Sequence, residues 1–129
     1  MNKKEHIEYW LKSAQHDLDV AEALFQNQKY DWCLFIGHLV LEKTLKAYYV
    51  MQYNQLPPKT HNLVRLAEIS NINLEEEQKL FLDEVNDFNL EIRYPDYKFN
   101  FYKKCTKEFT ESYFERIKEF YQWLLSQIK

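Results

Sequence analysis

Four side chains in this sequence are suited to proton transfer near neutral pH: His6, His16, His38 and His61, because histidine titrates there without a large shift. No pair of them has a cysteine or carboxylate at metal-ligand spacing, and H-E-x-x-H is absent, so no metal site is predicted. Each reads first as a surface or core residue. His38 differs in one respect: His38, Glu42 and Lys46 fall at i, i+4 and i+8, which draws a polar line along one side of a helix, with Lys43 beside it. That line reads either as an i,i+4 ion pair, Glu42 to Lys46, on a solvated edge, or as one wall of a functional groove. The second place with chemical potential is Arg93-Tyr94-Pro95-Asp96-Tyr97-Lys98. An arginine, two tyrosines and an aspartate surround a rigid proline, and function often sits on loops held by a scaffold. The structural alternative is a Pro95 turn with Asp96 accepting backbone N–H bonds and Arg93 paired to a helix carboxylate.

Whole reaction classes are excluded. The chain has a single glycine, Gly37, inside a helical pattern, so a P-loop, a dinucleotide-binding fingerprint and a glycine-rich kinase loop cannot be built. No Ser or Cys carries a local nucleophile signature, and no cofactor is expected. Net charge is −3, which does not suit a broad nucleic-acid-binding face and leaves room only for a local basic patch. Cys33 and Cys105 lie in apolar helical patterns without C-x-x-C spacing and read as buried free thiols. The start of the chain has no apolar signal core, and no uncharged run reaches membrane-spanning length. The expected location is the cytoplasm.

The elements that must position these residues are helical. Hydrophobic residues make up 46% of the 129 residues and aromatic ones 17%, with one glycine and three prolines. That composition argues against both disorder and a many-hairpin β fold. Tyr30 to Tyr53 is the organising stretch, apolar nearly all round from Trp32 to Leu41, which predicts a helix buried on several sides. Gly37 in mid-helix costs about 1 kcal/mol against alanine, so a close helix crossing is predicted there. Before it, Ile7, Leu11, Ala14, Leu18, Ala21 and Phe25 mark an amphipathic helix from Lys4 to Asn27, closed by a tight turn, with Asp31 as the cap of the next helix. Pro57-Pro58 ends the central helix. A short helix over Leu63 to Ser70 follows, capped by Thr60 or Asn62. A further helix spans Leu74 to Ile92, with Leu80, Phe81, Val85, Phe88 and Ile92 inward. The last runs from about Tyr102 to Ile128. The fold class is all-α, an up-and-down helical bundle of four longer helices plus one short helix, as a single domain over residues 1–129. The aromatic excess predicts a homodimer.

Taken together, several of these pieces resemble the HEPN domain, the helical family named for nucleotide binding in higher eukaryotes and prokaryotes. The resemblance rests on Trp10-Leu11, Ala14 and Asp17-Leu18, then Tyr30, Phe35 and the run His38 to Ala47 with Glu42-Lys43 and Lys46-Ala47. It continues through Pro57-Pro58, Thr60-His61-Asn62-Leu63 and Arg93-Tyr94-Pro95-Asp96. It implies a helical bundle, often dimeric, similar to substrate-binding subunits of nucleotidyltransferases and paired with a small nucleotidyltransferase, in some cases as a toxin–antitoxin type pair. Some relatives are toxin ribonucleases, which carry an arginine followed four to six residues later by a histidine. Here the last histidine is His61 and the first arginine is Arg65, so that motif cannot form, and His61 reads as a hydrogen bond at the start of a helix.

The resulting expectation is a non-catalytic HEPN protein with no catalytic residue. Glu42, Lys43 and Lys46 with Arg93, Tyr94 and Asp96 would form a groove for a nucleotide or RNA, with cations on phosphate and a tyrosine stacked on a base. The rivals are a divergent ribonuclease using other residues of that groove, and a scaffold whose polar residues only hold the bundle together.

Overall fold

The computed structural model describes residues 1–128, apart from the side chain of Pro95. Six helices follow in order: α1 Lys3–Gln26, α2 Tyr30–Tyr53, α3 Leu63–Ile69, α4 Glu76–Arg93, α5 Pro95–Lys104 and α6 Lys107–Gln127. The all-α bundle read from the sequence is present. α2 packs against each of the other five helices. Thirteen of its 24 residues are buried, against two of the 24 in α1, so α2 is the core and α1 a layer on it. The apolar pattern of α2 has this physical cause: neighbours bury most of its circumference, while the line Trp32, Phe35, Ile36, Leu39 and Lys43 stays partly open.

Ala14 and Ala21, the buried residues of α1, let it lie close along α2. The hairpin between them closes at Gln28, whose φ of 62° is left-handed, with Lys29 N–H bonded to the Leu24 carbonyl at 2.8 Å. Asn54 and Asn71 adopt the same left-handed conformation after α2 and α3. Asparagine tolerates it better than most residues, so the chain's glycine is not used as a helix stop. Gly37 faces α6 instead: a Cβ placed there would sit 2.9 Å from Ile117 Cδ1. The close crossing predicted for Gly37 is present.

Several boundaries differ from the reading of the sequence. Asp31 does not cap α2. The cap position is Lys29 without a side-chain bond, while Asp31 lies buried in the first turn. Asn62, not Thr60, caps α3, accepting the Arg65 N–H at 3.2 Å. Leu80 points out, 59% exposed, and Leu82 takes an inward place. Phe81, Val85, Phe88 and Ile92 fix the buried arc of α4, and Leu80 lies outside it at 100° per residue. The largest difference is at the C-terminal end. Arg93 to Lys98 is not a loop and the last helix does not begin at Tyr102. Only Tyr94 leaves the helical conformation, at φ −106° and ψ 118°, the extended region favoured before a proline. Pro95 then opens α5, a position that suits its fixed φ. Thr106 caps α6, accepting the Phe109 N–H at 3.2 Å.

Cys33 and Cys105 are buried free thiols, as the sequence suggested. Burial pushes both up to about 12, which leaves them un-ionised and inert as nucleophiles. Among the described residues no helix is long and apolar enough to cross a membrane.

Candidate functional site

The polar line on α2 is buried. Glu42 is 5% exposed and Lys46 8%, so the ion pair predicted on a solvated edge exists, but in the interior. Lys46 Nζ donates to Glu42 Oε2 at 3.0 Å and stands 5.4 Å from the Trp10 ring centroid on α1. A buried charge demands such partners. The other oxygen, Glu42 Oε1, accepts from His61 Nδ1 at 2.8 Å. The segment before α3 is thereby tied to the middle of α2.

The network continues in one direction only. His38 Nε2 lies 2.8 Å from the His61 carbonyl oxygen. A carbonyl only accepts, so Nε2 carries the proton and Nδ1 of neutral His38 is an acceptor. Asn89 Nδ2 of α4 approaches that Nδ1 at 3.4 Å, and Asn89 Oδ1 accepts from Arg93 at 3.0 Å. A single set of donors and acceptors runs from Lys46 through Glu42, His61, His38 and Asn89 to Arg93. Burial lowers the His38 pKa to about 4, against the opposing pull of Glu42 and the His61 carbonyl. His38 is therefore a neutral structural link at physiological pH.

His61 is different. Its side chain is 56% exposed. His61, with Nδ1 on Glu42, keeps its other ring nitrogen off that carboxylate. It borders a cleft of about 340 Å³ between the start of α3 and α4, lined by His61, Asn62, Asp83, Asn86, Asp87, Asn89, Leu90 and Arg93. Asn86 shapes the wall by accepting the Leu63 N–H at 2.9 Å and donating to Asn62 at 3.0 Å. The cleft thus combines an oriented imidazole, a guanidinium fixed by one bond, and two rim carboxylates. Such a set can take a phosphoryl oxygen at Arg93 and a hydroxyl or amine at His61 or an aspartate. Among the described residues no group of three His, Cys, Asp or Glu side chains is placed to hold a metal ion.

The residues expected to form one groove separate. Glu42 and Lys46 meet each other and reach Arg93 only through the network. Lys43 turns to α1 and pairs with Asp17 at 2.7 Å. Arg93 lines the cleft. Tyr94 is exposed at the α4–α5 junction, and Asp96 is exposed in the first turn of α5. The helix-start hydrogen bond expected of His61 belongs to Asn62, and His61 instead faces the cleft on the Glu42 carboxylate. Sequence reasoning misses Asn86 and Asn89 altogether. The one signal for them is polar residues interrupting the apolar pattern of α4.

The chain matches the HEPN domain over residues 7–128. It belongs to the HEPN family. The fold of this HEPN protein is similar to the crystal structure of TT1696 from Thermus thermophilus, with a TM-score of 0.79 at 17% identity, covering 98% of each chain. No curated protein matches the sequence.

Proposed function

We propose that this HEPN protein is a non-catalytic, cytoplasmic helical module that binds a nucleotide-like ligand in the cleft between α3 and α4. We propose further that it works beside a small nucleotidyltransferase in a toxin–antitoxin type pair. The observation that carries the ligand reading is the cleft itself, where His61 and Arg93, far apart in sequence, share one wall system. Arg93 meets phosphate, and His61 and the rim carboxylates meet ribose or base polar groups. Titration calorimetry with ATP and AMP tests it. Weak binding is expected, lost in Arg93→Ala and reduced in His61→Ala, and falling as salt rises because the contact is exposed to screening. Lys46 lies behind the cleft, so Lys46→Ala changes stability rather than ligand contact. Equal heats from the parent and Arg93→Ala would remove this reading.

One observation favours the ribonuclease alternative: a carboxylate-oriented histidine beside an arginine is the arrangement of a general base with a phosphate clamp. Against it, His61 is the one histidine among the lining residues of the cleft, so no second imidazole stands opposite it to protonate a leaving group. Metal-free incubation with total RNA is expected to leave it intact. Cleavage by the parent that disappears in both His61→Ala and Arg93→Ala would make the protein an enzyme.

A homodimer remains part of the proposal. Leu80 on α4 is 59% exposed and Trp32 on α2 40% exposed, and apolar side chains left at the surface are what an interface between two copies would cover. Sedimentation velocity at micromolar concentration should give a dimer, and a monomer at all concentrations refutes it.

A further inference from the structure

α5 is unlike the other helices. Of its described side chains only Phe101 is buried, stacked on Phe88 with centroids 5.6 Å apart and 29° between planes. Phe99 and Lys103 lie on the opposite side, with Tyr102 and then Lys98 on the flank that turns back towards α2. Phe99 and Tyr102 are 62% and 63% exposed, and their rings lie nearly parallel, at 14°. The cations interleave with rings: Lys103 Nζ is 4.5 Å from the Phe99 centroid, and Lys98 Nζ is 5.0 Å from that of Trp32 on α2, itself 40% exposed.

Charge separates this face from the rest of the protein. The net charge of the chain is −3. Residues 96–108 nevertheless hold four lysines, Lys98, Lys103, Lys104 and Lys107, against two carboxylates, Asp96 and Glu108, one at each end. Exposed, preset rings beside lysines have two complementary needs: flat π surfaces to stack on and negative charge at short intervals. A protein partner supplies aromatic faces and acidic side chains together only where its own sequence places both. A single-stranded nucleic acid supplies both in every repeat, whatever its sequence. We infer that the outer face of α5, extended by Trp32, is a stacking platform for single-stranded nucleic acid, separate from the α3–α4 cleft.

The test is fluorescence anisotropy with a labelled twelve-nucleotide oligo(U) RNA and the same RNA annealed to its complement. The single strand is expected to bind at 50 mM salt and the duplex much more weakly, because paired bases hide their faces. Phe99→Ala and Tyr102→Ala should each weaken binding about tenfold. Phe99→Leu keeps the apolar bulk but not the π face, and should weaken it nearly as much. Lys98→Ala with Lys103→Ala should reduce the slope of log affinity against log salt by about 1.4, at roughly 0.7 for each phosphate no longer neutralised. All these side chains are exposed, and unchanged melting curves confirm that the variants fold. Equal affinity for duplex and single strand, or full binding by Phe99→Leu, overturns stacking. No binding at 50 mM salt overturns the platform. If Phe99→Ala with Tyr102→Ala turns a dimer into a monomer while RNA binding is unaltered, the face belongs to a protein contact and the inference fails.

Discussion

Glu42→Ala is expected to cost about 3–5 kcal/mol of folding stability, the usual result of breaking a buried ion pair from one side. The reason lies in what is left behind. His61 is half exposed and can turn to water. The Lys46 side chain is only 10% exposed and would be left with little beyond the Trp10 ring as a partner. Removing both charges is a different experiment. Glu42→Leu with Lys46→Met should recover most of the loss, since apolar groups of similar volume often replace a buried pair at little cost. Urea denaturation measures both. A loss below about 1 kcal/mol for Glu42→Ala would mean the pair is wet and mobile rather than structural.

The same network makes the fold sensitive to acid. His38 is held neutral in the folded protein, with its pKa lowered from 6.5 to about 4. The unfolded chain takes up that proton near pH 6.5, the folded one only near 4, so protonation favours unfolding. The contribution of His38 to stability is complete above pH 6.5 and is lost as the pH falls from 6.5 towards 4. In His38→Gln this part of the acid limb should flatten. An unchanged slope of melting temperature against pH would assign the acid limb to other groups.

Gly37→Leu is expected to destabilise by about 1–3 kcal/mol through overpacking. A Cβ already meets Ile117 Cδ1 at 2.9 Å, and leucine adds three further carbons in the same direction. Gly37→Ala is the informative control. Alanine gains up to about 1 kcal/mol of helix propensity, and the atom it meets is the end of a flexible side chain, so the net change should be small. Ile117→Val removes that end atom, and in its presence Gly37→Ala should become stabilising. If Gly37→Leu melts at or above the parent temperature, α2 and α6 do not cross closely at this point.

The bounds of α2, its burial over most of its circumference and the role of Gly37 are legible in the sequence because each depends on local composition; the partly open side at Trp32 is not. The same holds for the α1–α2 hairpin and the family, whereas α2 stops at left-handed Asn54, before the prolines expected to end it. The division of the C-terminal third is not legible. The apolar residues of α5 and α6 continue one periodic pattern, and nothing local ranks the Thr106 cap above simple continuation. Leu80 differs: the spacing of Phe81, Val85, Phe88 and Ile92 already puts it outside the buried arc, so its exposure is legible in the helical pattern.

The candidate site shows the limit most clearly. The sequence supplies the i,i+4 spacing of Glu42 and Lys46, and that pair forms. It cannot supply the third partner, because His61 lies 19 residues from Glu42 and Asn89 lies 51 from His38. Such pairings are set by the angles at which α2, α3 and α4 cross. Lys43 and Lys46, three residues apart on one helix, both turn to α1, one to Asp17 and the other beside Trp10, and neither meets Arg93. Sequence spacing determines which side chains share a face of a helix. Whether that face becomes a cleft or a buried strut depends on the neighbouring helix, and only the tertiary packing places it.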